Sequence, residues 1–283
     1  MTKVLLAGAT GYLGGFILKE LDKRNYFKKI LVRKSNKNIE EYNSNSEIIT
    51  AEVTKPETLK NILHGVDVVI STVGITKQKD GLTYMDVDYR ANLNLLNESI
   101  KNNVKKFIYV SVLNGEKLKH LKICEAKEKF VDELKKSGID YCVVRPNGFF
   151  SDMSEFFNMA LKGKIYLFGD GSLKSNPIHG EDLAEVCVDC IELKDKEINV
   201  GGPEILTQNE IANAAFKVAG KEVKISYIPD WIRKLGLKFV RTFMNSKSYG
   251  PIEFFMTVMV MNMVAPKYGT HRLEDFFKSM RNK

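Results

Sequence analysis

The feature that most constrains this chain is an apolar strand that runs into a glycine-rich turn and then a helix. The segment reads "KVLLAGATGYLGGFILKEL", residues 3–21. Gly8 permits a tight turn out of the strand, Gly11 lets the backbone approach a diphosphate, and Gly14 lets the helix pack on the sheet. Free amides and the helix dipole favour phosphate there. The context predicts a dinucleotide site, rather than an ordinary strand–helix turn, formed by Gly8, Thr10, Gly11, Tyr12, Leu13 and Gly14.

Strand-like runs alternate with helical periodicity through the first half of the chain. They include "KKILVRK", "SEIITAEV", "VDVVISTVG", "KFIYVSVL" and "YCVVRP". Continuous apolar strands joined by crossover helices predict a doubly wound parallel α/β sheet of the Rossmann type. We expect residues 1–150 to form this NAD(P)-binding domain. Residues 151–283 become turn-rich and predict a smaller α/β lobe, partly interleaved with the sheet, that caps the substrate.

The ends of the next strands indicate which dinucleotide binds. An NAD site usually places an acidic residue about twenty residues beyond the glycines, but Arg33 and Lys34 stand there. A guanidinium can form two parallel hydrogen bonds to a 2′-phosphate, so the sequence predicts NADPH as the cofactor. The alternative is that Arg33 and Lys34 are solvated surface charges. Glu52 and Val53 are expected at the adenine. The fourth strand ends in small residues beside the cofactor, namely Ser71, Thr72, Val73 and Gly74.

Composition excludes several other classes of protein. The formal net charge is +8, but no basic run is interleaved with aromatic residues, so nucleic-acid binding is not expected. The first residues do not resemble a signal peptide, and residues 252–264 are too few to span a bilayer, which favours a cytoplasmic protein. Cys187 and Cys190 fall on an apolar helix face with no second metal-ligand pair nearby. We interpret them as core residues and expect no metal.

Four segments of the first half, "AGATGYLG", "DVVISTVG", "KKFIYVSV" and "VVRPNGFF", resemble the short-chain dehydrogenase/reductase superfamily in its atypical, NmrA-like branch. The second half is most similar to the divinyl chlorophyllide 8-vinyl reductases of that branch, through "RPNGFFSDM", "YLFGDG", "PIHGEDLAEVCVDCI" and "YGTHRLEDFF". The resemblance covers nearly the whole chain. It implies a Rossmann fold and a nicotinamide cofactor.

Most members of the superfamily use Tyr-x-x-x-Lys and a serine. Here "ICEAK" puts Lys127 at the lysine position, Ile123 at the tyrosine position and Leu113 near the serine position. The resemblance implies that Lys127 orients the nicotinamide ribose and supplies positive potential; a solvated helix lysine is the alternative. Without the tyrosine, ordinary carbonyl reduction is disfavoured and hydride addition to an electron-poor C=C bond remains open.

The segment "RPNGFF" follows the last core strand. Pro146, Gly148 and Phe149 are expected to turn the chain over the nicotinamide. Phe149 and Phe150 either wall the pocket or belong to the core, and the sequence favours neither. For His179 we prefer a structural hydrogen bond to the following helix over a catalytic role. The candidate proton donors are Tyr84, Asp88, Asn114, Cys124, Asp152 and His179.

These observations leave three functional hypotheses open. The first is an NADPH-dependent reductase of an activated C=C bond in a hydrophobic or cyclic small molecule. The second is a non-catalytic NADPH-binding sensor or accessory subunit. The third and weaker one is a sugar-nucleotide epimerase or dehydratase, whose proton transfers need the missing tyrosine.

A basic amphipathic helix is predicted at residues 230–243, "DWIRKLGLKFVRTF". Its stripe of Ile232, Leu235, Phe239, Val240 and Phe243 suits either of two roles. One is peripheral contact with an anionic membrane or cover of a lipid-like substrate. The other, which we prefer at this stage, is a packed cap helix with solvated lysines.

Overall fold

A seven-stranded parallel sheet dominates the fold. The computed structural model describes residues 1–34, 45–76, 78, 81–244 and 246–281. The sheet has the order β3-β2-β1-β4-β5-β6-β9. Its strands are β1 (Lys3–Ala7), β2 (Phe27–Val32), β3 (Ser46–Thr50), β4 (Val68–Ser71), β5 (Lys106–Val110), β6 (Asp140–Pro146) and β9 (Glu197–Val200). This order confirms the doubly wound Rossmann sheet. Its topological switch point lies between β1 and β4, where ligands bind in such sheets.

Helices connect these strands. They are α1 (Tyr12–Lys23), α2 (Asn92–Lys101) and α3 (Lys122–Lys136), with 3-10 helices at Pro56–Leu59 and Gly115–Leu118 and a π-helix at Met85–Ala91. The apolar strand residues pack with helix residues such as Leu95, Phe130 and Leu134 into one buried core. π-Helical turns are rare in proteins, but those that occur are often found at functional sites. This one leads directly into α2.

The chain divides into two compact units. Unit 1 comprises Met1–Arg145 and Leu183–Ile198, and unit 2 comprises Pro146–Asp182 and Asn199–Lys283. The chain therefore passes from one unit to the other three times. The sequence predicted a boundary at residue 150 and a second lobe partly interleaved with the sheet.

Unit 2 contains short strands and several helices around its own core. The strands are β7 (Ile165–Phe168), β8 (Lys174–Ser175), β10 (Leu206–Thr207) and β11 (Ile225–Ile228); the helices are α4 (Phe150–Leu161), α6 (Gln208–Ala219), α7 (Asp230–Phe243), α8 (Ser246–Val258) and α9 (Leu273–Arg281). Helix α5 (Gly180–Asp189) begins in unit 2 and belongs to unit 1 from Leu183 onward. β7 and β11 pair in parallel, and β8 and β10 antiparallel. Thr207 caps the start of α6, because the Glu210 amide donates to Thr207 Oγ1 at 3.1 Å.

Cys187 and Cys190 are buried free thiols, as expected for core residues. Cys142 of β6 lies against them, with 3.2 Å between its sulfur and that of Cys190. Among the described residues, no helix combines the length and apolarity needed to cross a bilayer.

Candidate functional site

The glycine turn packs directly on the segment that follows β4. Gly8 has φ +92°, and a Cβ atom there would lie 2.4 Å from Thr72 Oγ1. A Cβ atom on Gly14 would lie 2.1 Å from the Gly8 carbonyl oxygen. The Thr72 amide donates to the Ala7 carbonyl at 3.0 Å. The two predicted ligand-binding segments thus meet at the switch point, and both glycines are required by close approach of the backbone.

The first turn of α1 is built to receive an anion. Gly11 is the N-cap residue in an extended conformation, and no side chain caps the helix. The first turn also contains no acidic residue that would compete with a phosphate. An α-helix leaves the amides of its first turn without partners inside the helix, and here neither an N-cap side chain nor an acidic residue of that turn competes for them. This cradle fits a dinucleotide diphosphate.

Arg33 and Lys34 follow β2 and are exposed. Hydrogen bonds from Lys55 and Thr54, with a contribution from the Arg33 charge, hold the pKa of Glu52 below its usual value. Glu52 therefore stands as a carboxylate near Arg33, with 2.8 Å between its Oε2 and Lys55 Nζ. The neighbouring Val53 packs against the core of unit 1, so its contact with adenine stays a prediction.

Asn92 holds the segment after β4 in place. Buried Ser71 donates its hydroxyl to Asn92 Oδ1 at 2.6 Å, and Asn92 Nδ2 donates to the Val73 carbonyl at 3.1 Å. Asn92 begins α2, immediately after the π-helix. Ser71 and Val73 thus have structural partners, and the backbone from Thr72 to Gly74 keeps a fixed course along the carboxyl edge of the sheet.

Lys127 lies beneath this segment and is not a solvated lysine. Its side chain is 13% exposed, and its Nζ lies 3.0 Å from Oδ1 of fully buried Asp88. A Cβ atom on Gly74 would lie 2.6 Å from that oxygen and 3.0 Å from Nζ. The Ile75 amide donates to Asp88 Oδ2 at 3.2 Å. Lys127 is therefore brought together with the Ser71–Gly74 segment, and the binding of cofactor by these residues stays a prediction.

Tyr109 of β5 also lies at the lysine, and sequence reasoning missed it. Its ring centre is 5.4 Å from Lys127 Nζ, and the side chain is fully buried. The hydroxyl finds no well-directed hydrogen-bond partner among the described residues. The sequence did offer one indication of its role, which is a tyrosine within an apolar, buried strand. A buried Tyr hydroxyl usually needs a polar neighbour, so such a residue indicates a polar site nearby.

Charge at this cluster follows from burial and proximity. Burial raises the pKa of Asp88, against the opposing charge of Lys127. Burial by itself lowers the pKa of Lys127, but Tyr109 and Asp88 outweigh it and the net pKa is raised. Burial also raises the pKa of Tyr109, so the phenol is neutral near pH 7. The 3.0 Å distance between Lys127 Nζ and Asp88 Oδ1 identifies the two groups as an ion pair.

The other candidate acids of unit 1 are poorly suited to proton donation near neutral pH. Tyr84 donates to the Thr76 carbonyl at 2.8 Å, and burial raises its pKa to about 12. Burial also raises the pKa of Cys124 to about 12. Asn114 takes a left-handed conformation, φ 58°, before a 3-10 helix. Ile123 and Leu113 are buried and apolar where the superfamily has its tyrosine and serine.

Pro146, Gly148 and Phe149 belong to unit 2, and their predicted position over the nicotinamide stays a prediction. Phe150 is a core residue, whereas Phe149 is half-buried. Asp152 accepts from the Phe149 amide at 2.9 Å and so caps the start of α4, a structural task.

A histidine cluster lies elsewhere in unit 2. The rings of His179 and His271 stack 4.2 Å apart, and His271 Nδ1 lies 2.7 Å from Asp182 Oδ1. The Glu181 amide donates to His179 Nδ1 at 3.2 Å, which is the expected hydrogen bond to the helix start. His179, Glu181 and His271 bring ligand atoms within 4.8 Å of one another. However, a His179 ring that accepts at Nδ1 carries its proton on Nε2, which opposes metal binding there. The absence of a metal stays a prediction.

Comparison with known proteins decides what the glycine cradle holds. A profile of the NAD(P)H-binding family matches residues 8–194, which begin at the first glycine of the turn. The chain belongs to the NAD(P)H-binding family. A nicotinamide dinucleotide is thus the cofactor class that the cradle and strand ends serve.

Two relatives of this NAD(P)H-binding chain span most of it. The chloroplastic divinyl chlorophyllide a 8-vinyl-reductase of Arabidopsis thaliana is 30% identical over 319 residues, covering 97% of this chain and 75% of that protein. The photosystem II assembly factor Ycf39 of Trieres chinensis is 27% identical over 236 residues, covering 82% of this chain and 74% of that protein. The resemblance to divinyl chlorophyllide reductases is confirmed.

Solved structures confirm the fold of this NAD(P)H-binding chain. A nucleoside-diphosphate-sugar epimerase from Staphylococcus aureus has a TM-score of 0.74 at 17% identity, covering 98% of this chain and 100% of that one. At that identity the likeness is one of fold. The choice of NADPH over NADH, the assignment to the NmrA-like branch and the cytoplasmic location stay predictions.

Proposed function

We propose that this protein is an NADPH-dependent reductase that acts on an activated C=C bond of a hydrophobic or cyclic substrate, as divinyl chlorophyllide reductases do on a vinyl group. The observation that carries the proposal is the buried Lys127–Asp88 pair beneath Gly74, beside an apolar Ile123. The site keeps its fixed positive charge and lacks the strong proton donor that carbonyl reduction requires.

Different residues of the chain would bind different parts of the dinucleotide and the substrate. The amides of the first turn of α1 would hold the diphosphate, and Arg33 would bind the 2′-phosphate. When bound, the dinucleotide would supply the hydride. Lys127 would orient the nicotinamide ribose and stabilise negative charge that develops on the substrate. Since Ile123 cannot donate a proton, the second carbon of the double bond would be protonated by water.

A non-catalytic NADPH-binding role is the second candidate. It is favoured by the burial of Lys127, whose ammonium is already paired with Asp88. The assembly factor among the relatives is consistent with such a role. A sugar-nucleotide epimerase or dehydratase has less support, because the likeness to epimerases is one of fold and Ile123 removes the proton-transfer group.

The test mixes purified protein with NADPH and, in turn, a divinyl tetrapyrrole, enones and quinones, and follows loss of the reduced cofactor. We expect turnover by the wild type and its collapse in Lys127→Ala, with Lys136→Ala on the exposed face of α3 as the matched control. Tight NADPH binding without turnover on any substrate would establish the second candidate instead.

A further inference from the structure

Helix α7 exposes an unusually apolar face. Trp231, Leu235, Phe239 and Phe243 recur every four residues and are 64%, 60%, 61% and 72% exposed. The rings of Phe239 and Phe243 lie 4.6 Å apart. Residues at this spacing share one side of a helix, so they form a continuous stripe on the protein surface. Leu235, Phe239 and Phe243 of the predicted stripe are thus exposed, and this stripe is not the face by which the helix packs. A role as a packed cap helix stays a prediction.

The packing face of α7 is a different one. Leu237 and Arg233 are buried, with Arg233 Nε donating to Asp230 Oδ1 at 2.6 Å. Helical spacing places both residues more than a third of a turn from the middle of the apolar stripe. The helix is thus already anchored within unit 2 by one side, and the stripe is additional apolar surface that the fold leaves uncovered.

Basic side chains fill the flank between the two faces. Lys234, Lys238 and Arg241, with Leu237 and Thr242, line an open depression of about 400 Å³. Arg241 Nε donates to Glu253 Oε1 of α8 at 2.6 Å, which fixes one wall of the depression. The helix carries four basic residues against one acidic residue, Asp230.

The charge decides which occupant suits this surface. A basic flank beside an apolar stripe is complementary to a bilayer surface that offers anionic headgroups above an apolar interior. A second copy of the chain would bring the same lysines into repulsion. The helix has 14 residues and is about 21 Å long, so it would lie in the plane of the interface.

We propose that this face of α7 binds the surface of an anionic phospholipid bilayer, with the aromatic and leucine side chains inserted and the headgroup phosphates against Lys234 and Lys238. The inference does not depend on the reductase activity. It would hold equally for a non-catalytic NADPH-binding protein.

Trp231 allows a direct test, because it is the sole tryptophan of the chain. The purified full chain is mixed with vesicles of phosphatidylcholine and phosphatidylglycerol in a roughly 7:3 ratio, or of phosphatidylcholine alone. We expect flotation with the anionic vesicles and a blue shift of the tryptophan emission. Salt should weaken the binding, since the headgroup attraction is screened.

Two variants separate the apolar and basic contributions. Phe239→Ser/Phe243→Ser and Lys234→Glu/Lys238→Glu should each weaken binding by at least about tenfold. Lys238→Glu alone, which leaves the Lys234–Asp230 pair intact, guards against a folding defect. The matched control is Lys60→Glu/Lys117→Glu, an equal charge change at exposed positions of unit 1. Circular dichroism checks that each variant is folded.

Four results would overturn the proposal. The first two are absence of flotation with anionic vesicles and equal binding by wild type and both α7 variants. The third is a blue shift that needs no lipid but grows with protein concentration, which would assign the stripe to a contact between copies. The fourth is a blue shift produced only by a hydrophobic tetrapyrrole, which would assign the stripe to the substrate.

Discussion

Lys127 and Asp88 show what a buried charge requires. Taking an ammonium and a carboxylate out of water is costly, and their attraction repays the cost only when both remain in place. Asp88 is held further by the Ile75 amide, which fixes its position under the segment after β4. Removing either partner leaves the other as an uncompensated buried charge.

We predict that Lys127→Met lowers the free energy of unfolding by about 3–5 kcal/mol near pH 8. Burial raises the pKa of Asp88 and the Lys127 charge opposes that rise, so removal of the ammonium raises the pKa of Asp88 further and sets the sign of the pH dependence of the deficit. A carboxyl whose folded pKa is raised loses stability as pH rises from its unfolded value through its folded value, so the deficit should shrink towards about pH 5. Urea unfolding at several pH values measures this.

Asp88→Asn/Lys127→Met is the control for that experiment. It removes the carboxyl as well, so it should show no extra loss of stability between about pH 5 and about pH 8. A pH-independent deficit in Lys127→Met would contradict the assignment of an unpaired Asp88 carboxylate in that variant.

A second prediction at the scale of single residues concerns Arg33 and the choice of dinucleotide. Arg33→Ala should weaken NADPH binding by about 1.5–3 kcal/mol, the loss of a charge-assisted hydrogen bond, and leave NADH nearly unchanged. Calorimetric titration of both dinucleotides into the wild type and the variant measures the difference. Equal losses for the two would mean that Arg33 does not touch the 2′-phosphate.

The residue scale also marks the limit of sequence reasoning. Lys127 was found through the resemblance, and Asp88 was named only among candidate acids. Their pairing could not be read from the sequence, because it depends on a π-helix that turns Asp88 inward from a position 39 residues earlier in the chain. Tyr109 was missed because a tyrosine in an apolar strand also satisfies simple core packing.

At the scale of elements, the glycine turn was predicted correctly because its requirements are local. A positive φ at Gly8 and backbone contact at Gly14 exclude other residues whatever the rest of the fold does. The exposed side of α7 could not be predicted in this way. Amphipathic periodicity shows that a helix has an apolar stripe, but it does not show what covers that stripe.

A pair of neighbouring glycines in α1 tests the packing argument. A Cβ atom on Gly14 would clash with the Gly8 carbonyl, whereas a Cβ atom on Gly15 meets nothing within 4 Å. Gly14→Ala should displace the helix from the turn, weaken dinucleotide binding at least about tenfold and lower stability by roughly 1–3 kcal/mol. Denaturant unfolding and calorimetric titration are the measurements.

Gly15→Ala is the matched control. It should bind the dinucleotide normally and gain up to about 1 kcal/mol of stability from helix propensity. If both variants lost binding equally, close packing of Gly14 on the turn would not be the reason for its glycine.

For the whole molecule, the predicted cofactor-binding residues from Gly8 to Lys127 lie in unit 1. A ligand stabilises the folded state that binds it, by about 2.7 kcal/mol at a free concentration of 100 Kd. We therefore expect NADPH to raise the temperature of the calorimetric transition in which unit 1 unfolds, by a concentration-dependent amount. A transition temperature that saturating NADPH leaves unmoved would contradict binding to the folded unit.

The doubly wound parallel sheet was predictable from the alternation of strands and helices, because crossover handedness leaves few arrangements. Partial interleaving of the second lobe was also predicted, but the segment that returns to unit 1 was not identified. Leu183–Ile198 returns to unit 1 and includes part of β9, yet nothing in "DLAEVCVDCIEL" distinguishes a helix of one unit from a helix of the other.

The return of the chain to unit 1 has a practical consequence for the design of truncated forms of this protein. A fragment that stops near residue 150 would lack β9, the neighbour of β6 in the sheet. β6 would become a bare edge whose amides and carbonyls invite pairing with other molecules. Such a truncated product should precipitate on expression, whereas the same fragment supplied with a separate peptide of residues 183–200, which contains all of β9, would have the missing strand restored.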